Sequence, residues 1–280
     1  MRVRQKNFKK SARASDVSAI EAHRAKKSLG QNFLVDDNIT RKIVNSLSIS
    51  KSDYVIEIGP GKGALTKLLS MSAANVAAIE KDDELYNSLK RQFSECSNVE
   101  IINQDFLKYK FPYLNRPSKV VGNIPYNLTS EIISKLVDER SKIDFAVLMV
   151  QNEVAERLSA AVGTKDYGSI SIRLQLVAEV KRLFFVSPNC FHPKPKVNSR
   201  VIKINFRNRE YFEHEDNFIR FVKKAFGMRR KMFRHFVSHY YGPEFVGLLP
   251  EKFKTNRVET FTPEEIYNLF TILEKDAQAN

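Results

Sequence analysis

Short apolar stretches alternate with amphipathic stretches through the first two thirds of the chain. The strand candidates lie at residues 54–58, 76–79, 99–102, 119–121 and 145–150. Between them, apolar residues recur at helical spacing, as in Leu85, Leu89 and Phe93. Strand–helix alternation at this interval predicts an α/β fold, in which helices cover both faces of a parallel sheet. Sheets of this kind bind ligands at the carboxyl ends of their strands, near the switch in strand order.

The pattern changes after about residue 205. Apolar residues from Phe218 to Phe226 follow a helical period, and a further helix is predicted to start at Thr262, with Glu265 closing a capping box. The chain therefore divides into three predicted segments. They are a basic flexible arm over residues 1–26, an α/β domain over residues 27–207 and a small all-helical domain over residues 208–280.

Positive charge is unevenly distributed along the chain, which has a formal net charge of +14. Residues 1–13 and residues 218–235 are rich in lysine and arginine and contain no acidic residue. A single basic run usually forms a solvated surface. Two acid-free runs in a basic chain favour a nucleic acid partner, because each cation that replaces a counterion at a phosphate adds affinity.

Cysteine and histidine are sparse. Cys96 and Cys190 lie far apart and outside any CxxC spacing, so reduced thiols in a cytoplasmic protein are expected. His235 and His239 form a close pair without a nearby cysteine or acidic ligand, so a basic surface helix is favoured and no metal site is expected. The chain has no apolar run near the ~20 residues that a membrane helix needs and no recognisable signal peptide.

A glycine-rich loop follows the first predicted strand and opens a helix. Residues 57–63 read EIGPGKG, and glycines at such a turn let the backbone approach a ligand closely. The next two strands each end in an acid. Glu80 is spaced to accept both hydroxyl groups of a ribose, and Asp105 is placed to accept an adenine amino group.

These features fit either a dinucleotide or S-adenosylmethionine. The dinucleotide loop normally reads G-x-G-x-x-G and holds a pyrophosphate at the helix N-terminus. Here the third glycine comes one residue early, and Glu57 precedes the loop. An acid at that point suits a sulfonium ligand with an ammonium group better than a pyrophosphate, so S-adenosylmethionine is favoured.

The fourth predicted strand runs into the turn Asn123-Ile124-Pro125-Tyr126. The Asn123 side-chain carbonyl and the Ile124 main-chain carbonyl could accept the two N–H groups of an adenine amine and hold its nitrogen towards a methyl donor. Pro125 would fix the backbone, and Tyr126 offers a ring on which a flipped base can stack. A turn capped by an asparagine is the alternative interpretation of these four residues.

Together these blocks resemble the ribosomal RNA adenine dimethyltransferases, a family that includes the small-subunit enzymes and the erythromycin-resistance methylases. The matching blocks are Gln31 to Leu34, Glu57 to Gly63, Glu80, Asp105, Asn123 to Tyr126 and Phe191 to Ser199. The resemblance implies a Rossmann-like class I S-adenosylmethionine methyltransferase sheet with a small C-terminal all-helical domain.

The resemblance also implies roles for individual residues. The cofactor would be contacted by Asn32, Leu34, Gly59, Gly61, Glu80, Asp105 and Asn123. Asn123, Ile124, Pro125 and Tyr126 would serve the target amine, and Phe191 would form the second wall of the base pocket, opposite Tyr126. Without the resemblance, Phe191 would be interpreted as a core aromatic residue.

The C-terminal region favours the small-subunit branch of the family. Residues 225–231, AFGMRRK, resemble a signature of that branch, except that Met228 stands where glutamine is usual. Residues 165–168, KDYG, also resemble that branch, whereas residues 191–195, FHPKP, slightly resemble the drug-resistance branch. Arg229, Arg230 and Lys231 are therefore expected to bind RNA.

The implied reaction is dimethylation at N6 of two adjacent adenosines in the 3′-terminal hairpin of small-subunit rRNA, as part of subunit biogenesis. The implied partner is small-subunit rRNA in an assembling ribosomal subunit, and the enzyme would act as a monomer. Three alternatives stay open. They are a large-subunit rRNA methylase of the macrolide-resistance type, a DNA adenine methyltransferase and a non-catalytic RNA-binding assembly factor.

Overall fold

The structure is a computed structural model that describes residues 25–26, 29–72, 75–207 and 214–279. The predicted basic arm over residues 1–26 lies outside the described residues, apart from Ala25 and Lys26. The strands are β1 (Phe33–Leu34), β2 (Tyr54–Ile58), β3 (Asn75–Glu80), β4 (Val99–Asn103), β5 (Ser118–Asn123), β6 (Ile143–Gln151), β7 (Ala178–Val186), β8 (Phe191–His192) and β9 (Ser199–Phe206). The α-helices are α1 (Asp37–Ser46), α2 (Ala64–Leu69), α3 (Asp83–Gln92), α4 (Thr129–Asp138), α5 (Asn152–Leu158), α6 (Ser169–Val177), α7 (Glu215–Gly227), α8 (Phe233–Tyr240), α9 (Glu251–Thr255) and α10 (Pro263–Ala279).

Seven strands form the main sheet, in the order β4-β3-β2-β5-β6-β9-β7. β2 pairs in parallel with β3 on one side and with β5 on the other. The chain thus adds β3 and β4 outward from β2 and then returns to place β5 on the opposite flank. The switch in strand order lies between β2 and β5, and a crevice is expected at their carboxyl ends.

The predicted α/β class is confirmed, and each of the five predicted strands lies within an observed one. The sheet is mixed rather than wholly parallel, because β9 pairs antiparallel with β6. Sequence patterning missed β9 because Arg200, Lys203 and Asn205 interrupt its apolar residues. In the structure these three polar side chains are half-buried, while the apolar residues of β9 are buried in the sheet.

The chain forms two compact units. One contains the described residues up to Ala155 together with Lys181–Phe206, and the other contains Glu156–Val180 and the described residues from Arg207 onward. The predicted division at residue 207 had placed residues 156–180 in the α/β domain. They group instead with the helical unit, because Tyr167 is buried in its core and donates a hydrogen bond to the Phe261 carbonyl at 3.1 Å.

Aromatic side chains dominate the core of the helical unit. Its buried aromatic residues are Tyr167, Phe218, Phe221, Phe233, Phe236, Phe245, Phe253, Phe261 and Phe270. The predicted capping box is present at the start of α10. The Thr262 N–H donates to Glu265 at 3.0 Å, and the Glu265 N–H donates to the Thr262 hydroxyl at 3.1 Å. Across the described ranges, no helix is both long and apolar enough to cross a membrane.

Candidate active site

A cavity of about 280 Å³ opens in the α/β unit, where β2, β3, β4 and β5 end. The predicted site residues that line it are Asn32, Leu34, Gly59, Gly61, Glu80, Asp105, Asn123, Ile124, Pro125 and Tyr126. The predicted cofactor loop and the predicted catalytic turn therefore share one space. It lies at the switch in strand order, where α/β sheets bind their ligands.

The glycine-rich loop packs closely against β3. The Gly61 N–H donates to Glu80 Oε2 at 3.0 Å, and the Gly59 N–H donates to the Ile79 carbonyl at 3.0 Å. Gly61 has a φ of +57°, a left-handed conformation, and a Cβ there would lie 3.1 Å from the Phe33 ring. Glycine at this position therefore lets both the loop backbone and Phe33 border the cavity.

Glu80 is held in a fixed orientation at the end of β3. Its Oε2 accepts the Gly61 N–H, and its Oε1 accepts the Asp82 N–H at 2.9 Å. Burial raises the pKa of Glu80, and the two N–H groups partly oppose that rise. A carboxylate oxygen has two lone pairs, so each oxygen can still accept a hydroxyl group from a ligand.

Glu57, near the end of β2, is a buried acid beside the cavity. Its Oε2 accepts the Thr66 hydroxyl at 2.7 Å, and the residue is 1% exposed. Burial, with a smaller contribution from the charge of Glu80, raises the pKa of Glu57 to about 8. A positively charged ligand would stabilise the ionised form, whereas a pyrophosphate would disfavour ionisation and gain no charge attraction from Glu57.

Asp105 follows β4 and is engaged by an ion pair that the sequence did not reveal. Its Oδ2 lies 2.8 Å from Lys81 Nζ, and its Oδ1 accepts the Leu107 N–H at 2.9 Å. Partial burial opposes ionisation, but the Lys81 ammonium group and this N–H hold the pKa of Asp105 below its usual range. The carboxylate is therefore an ionised acceptor at the edge of the cavity.

Residues 29–34, here named the N-terminal strap, line one side of the cavity. Asp82, the second residue after the end of β3, anchors them. Its Oδ1 lies 2.9 Å from Lys26 Nζ, and its Oδ2 accepts Gln31 Nε2 at 3.1 Å. Asp82 also accepts the Glu84 N–H and so caps α3. Sequence reasoning missed Asp82, because nothing in its local pattern marks a contact with a segment so far away along the chain.

The predicted catalytic turn contacts the strap directly. Asn123 Nδ2 donates to the Asn32 carbonyl oxygen at 2.8 Å. Because only the amide nitrogen can donate, this bond fixes the orientation of the side chain. Asn123 Oδ1 accepts no hydrogen bond from the described residues. Pro125 has a φ of −58°, and its carbonyl accepts the Leu128 N–H at 3.1 Å, so the turn is rigid.

The two aromatic residues predicted for the base pocket occupy different surroundings. Tyr126 is half-buried and borders the cavity. Phe191 lies in β8, is 2% exposed and pairs with Leu34 of β1. It packs within the hydrophobic core and is not among the residues that line the cavity. Its proposed role as the second wall of the pocket stays a prediction.

The predicted RNA-binding residues lie in the helical unit and differ from one another. Arg229 is half-buried, and its guanidinium group donates to the Lys165 carbonyl at 3.4 Å. Arg230 and Lys231 are exposed. Arg229 therefore connects two segments of the helical unit, whereas Arg230 and Lys231 present their charges to solvent.

The fold and the cavity define a class I methyltransferase. Carboxylates stand at the ends of three neighbouring parallel strands, and an amide-bearing turn ends the fourth. The buried Glu57 beside the glycine loop suits a cationic cofactor and disfavours the pyrophosphate of a dinucleotide.

Comparisons with known proteins identify the family. The ribosomal RNA adenine dimethylase family matches residues 22–275. The chain is 41% identical over 248 residues to ribosomal RNA small subunit methyltransferase A of Chlorobaculum parvum. This match covers 88% of each chain. Among solved structures, a dimethyladenosine transferase from Plasmodium falciparum matches with a TM-score of 0.75 and 26% identity, over 87% of this chain and 98% of that one. The 23S rRNA methyltransferase ErmE matches with a TM-score of 0.66 and 27% identity, over 87% of this chain and all (100%) of that one.

The chain therefore belongs to the ribosomal RNA adenine dimethylase family, and S-adenosylmethionine is its cofactor. The resemblance that the sequence motifs indicated is confirmed. The described residues fit this cofactor, because Glu57 is a buried acid able to face its positive charges and Glu80 and Asp105 are preset acceptors.

The raised pKa of Glu57 predicts proton-linked cofactor binding. At a pH below about 8, Glu57 is mostly protonated in the free protein. It must release this proton before its carboxylate can face a cation. Affinity for S-adenosylmethionine should therefore rise with pH, by up to about tenfold per pH unit, and level off above the pKa. Calorimetric titrations between about pH 6 and pH 9 measure this slope.

The Glu57→Gln variant is the control for this prediction. The amino group of the cofactor itself titrates near pH ~8, and it contributes equally to wild type and variant. The expected result is a steeper pH dependence in the wild type than in Glu57→Gln. Parallel pH profiles would show that Glu57 does not ionise when the cofactor binds.

Asp82 should control how fast the cofactor exchanges. Asp82→Asn keeps an N-cap for α3 but removes the charge that holds Lys26. We expect S-adenosylmethionine to dissociate about 5- to 10-fold faster, the effect typical of losing one charge-assisted hydrogen bond. Stopped-flow displacement measures the rate, and Lys26→Met should reproduce it.

Asp53→Asn is the matched variant for Asp82→Asn. It removes a carboxylate that lies 2.7 Å from Lys119 Nζ. Asp53 precedes the start of β2, at the end of the parallel strands away from the cavity. Its dissociation rate should equal that of the wild type. A wild-type rate in Asp82→Asn would mean that the strap does not limit exchange.

Proposed function

We propose that this protein dimethylates N6 of two adjacent adenosines in the 3′-terminal hairpin of small-subunit rRNA. The orientation of the Asn123 amide carries the proposal. Its nitrogen is engaged by the strap at 2.8 Å, so its oxygen is the atom left to accept a hydrogen bond at the cavity. An acceptor fixed in this way suits an amine, which offers only N–H donors to such a site.

Two acceptors would activate the amine. The lone pair of an adenine amino group is delocalised into the ring, so the nitrogen is a poor nucleophile. Asn123 Oδ1 and the Ile124 main-chain carbonyl would each accept one N–H and favour a tetrahedral nitrogen. Pro125 keeps the turn rigid, and the Tyr126 ring would stack on the flipped base, a contact worth ~1–3 kcal/mol.

When bound, S-adenosylmethionine supplies an electrophilic methyl group on a positively charged sulfur. In this proposal Glu57 faces the positive charges, Glu80 accepts the ribose hydroxyl groups, and Asp105 accepts the adenine amino group. The remainder of the cofactor is contacted by Asn32, Leu34 and the glycine-rich loop. In each transfer the amine nitrogen would form a bond to the methyl group, the bond from sulfur to that methyl group would break to leave a neutral thioether, and one N–H proton would be released. Because the amine carries two N–H groups, each adenosine can take two methyl groups in two such transfers.

The helical unit would select the substrate. Relatives named as small-subunit methyltransferases reach 44% identity with this chain, against 27% for ErmE. The bond between Arg229 and the Lys165 carbonyl links the AFGMRRK and KDYG stretches, which both resemble the small-subunit branch. The proposed partner is an assembling small subunit, met by a monomeric enzyme in the cytoplasm.

A large-subunit specificity is the second candidate, because ErmE matches the fold over 87% of this chain. Mass spectrometry of both rRNAs, from cells with and without the protein, separates the two. The proposal expects N6,N6-dimethyladenosine in the 3′-terminal hairpin of small-subunit rRNA only with the protein. Modification confined to large-subunit rRNA would overturn it.

Asn123→Ala tests the role of the turn. Methyl transfer to immature small subunits should fall by about 100-fold or more, because an interaction made with the reacting group is lost. The variant also loses the bond to Asn32, so cofactor affinity should weaken modestly, while subunit affinity stays near that of the wild type. Transfer at wild-type rates would remove Asn123 from the mechanism.

Arg230→Glu tests the proposed RNA contact. Affinity for immature small subunits should fall, and its salt dependence should become shallower by about one unit of slope, since a phosphate contact is lost. Lys254→Glu, which makes the same charge change at an ion pair in α9, should bind as the wild type does. Equal losses in both variants would indicate a general charge effect rather than a contact.

A further inference from the structure

A hydrogen bond joins the catalytic turn to β9. Tyr126 Oη lies 2.6 Å from Ser199 Oγ. Ser199 is the first residue of β9, pairs with Gln151 at the end of β6 and is fully buried, with 0% exposure. Within the described ranges, each of these two hydroxyl groups has the other as its hydrogen-bond partner.

The Tyr126 side chain is thereby held at both ends. At its base, the Tyr126 carbonyl accepts the Thr129 hydroxyl at 3.1 Å, and the turn Tyr126–Leu128 follows the rigid Pro125. At its tip, Ser199 holds the phenol. A ring fixed at one end can still swing about its side-chain torsions, whereas a ring fixed at both ends cannot.

This anchoring matters for a stacking surface. A base gains stacking energy only when it lies parallel to the ring, and ordering a mobile ring on binding would cost free energy. A ring that is already aimed avoids that cost. It also places the stacked base at a constant height relative to Asn123, whose own amide is fixed by the strap.

We infer that Ser199 is a positioning residue for methyl transfer, which acts by aiming the Tyr126 ring at the target base. This role rests on the proposed function, since it presumes that Tyr126 stacks on an adenine. Ser199 does not line the cavity and touches no reacting atom. Its effect should therefore appear in the chemical step and not in cofactor affinity.

Two single variants break the same bond from opposite sides. Ser199→Ala removes the acceptor or donor on β9, and Tyr126→Phe removes the phenol hydroxyl while it keeps the ring. Each should lower kcat for immature small subunits by about 5- to 10-fold, the effect expected for one hydrogen bond. KM for the subunit should change less, because phosphate contacts dominate RNA affinity. The Kd for S-adenosylmethionine should be unchanged.

The double variant distinguishes positioning from general damage. Because both changes remove one shared bond, the double variant should be no slower than either single variant. Ser118→Ala is the matched control. Ser118 is also buried and begins β5, which β6 separates from β9 in the sheet. It donates one hydrogen bond to the Lys142 carbonyl at 3.1 Å, at the end of the parallel strands away from the cavity. It should keep the wild-type kcat.

Wild-type kcat in Ser199→Ala, additive losses in the double variant, or an equal loss in Ser118→Ala would each overturn the role of Ser199. These outcomes leave the proposed function intact as long as the wild type methylates small-subunit rRNA. A wild type that methylates neither rRNA overturns the proposed function, and the role of Ser199 with it.

Discussion

The hydrogen bond from Asn123 Nδ2 to the Asn32 carbonyl, at 2.8 Å, joins the two sides of the site. Asn32 belongs to the strap that is predicted to contact the cofactor, and Asn123 begins the turn that is proposed to face the target. Asp82 anchors the strap, and its own N–H donates to Glu80, so one chain of contacts runs from Glu80 to Asn123. The geometry of either side therefore depends on the other.

The burial of Glu57 at the site reduces the stability of the folded protein. Glu57 has a folded pKa near 8, against 4.5 as its ordinary value. The folded protein therefore binds a proton that the unfolded chain releases, and the contribution of Glu57 to stability declines as pH rises from about 4.5 through 8. Thr66 and the backbone offset only part of this cost. A cation in the cavity would offset more, so the protein without its cofactor is the less stable form.

The sequence predicted those features that depend on local pattern. Uninterrupted apolar residues revealed β3 and β6, and acids at or just after strand ends indicated Glu80 and Asp105, which line the cavity. The sequence did not predict features that depend on contacts between residues far apart in the chain. Asp82 acts through Lys26 and Gln31, and residues 156–180 leave the α/β unit because Tyr167 packs in a core built mainly from residues after 214. The role of Phe191 in the base pocket stays a prediction, because it rests on a motif position and the side chain packs in the hydrophobic core.

The turn at Asn123 cannot by itself select a substrate. An oriented acceptor, a rigid proline and a stacking ring would serve any adenine amine, in RNA or DNA, once the base is flipped out. Selection must therefore act on how the polynucleotide reaches the turn. In the helical unit, Arg229 is engaged by the Lys165 carbonyl, while Arg230 and Lys231 are exposed. Under the proposed function, Arg229 would maintain the shape of the surface, and Arg230 and Lys231 would meet phosphates. Specificity would then arise from where phosphates are held, and reactivity from the rigid turn.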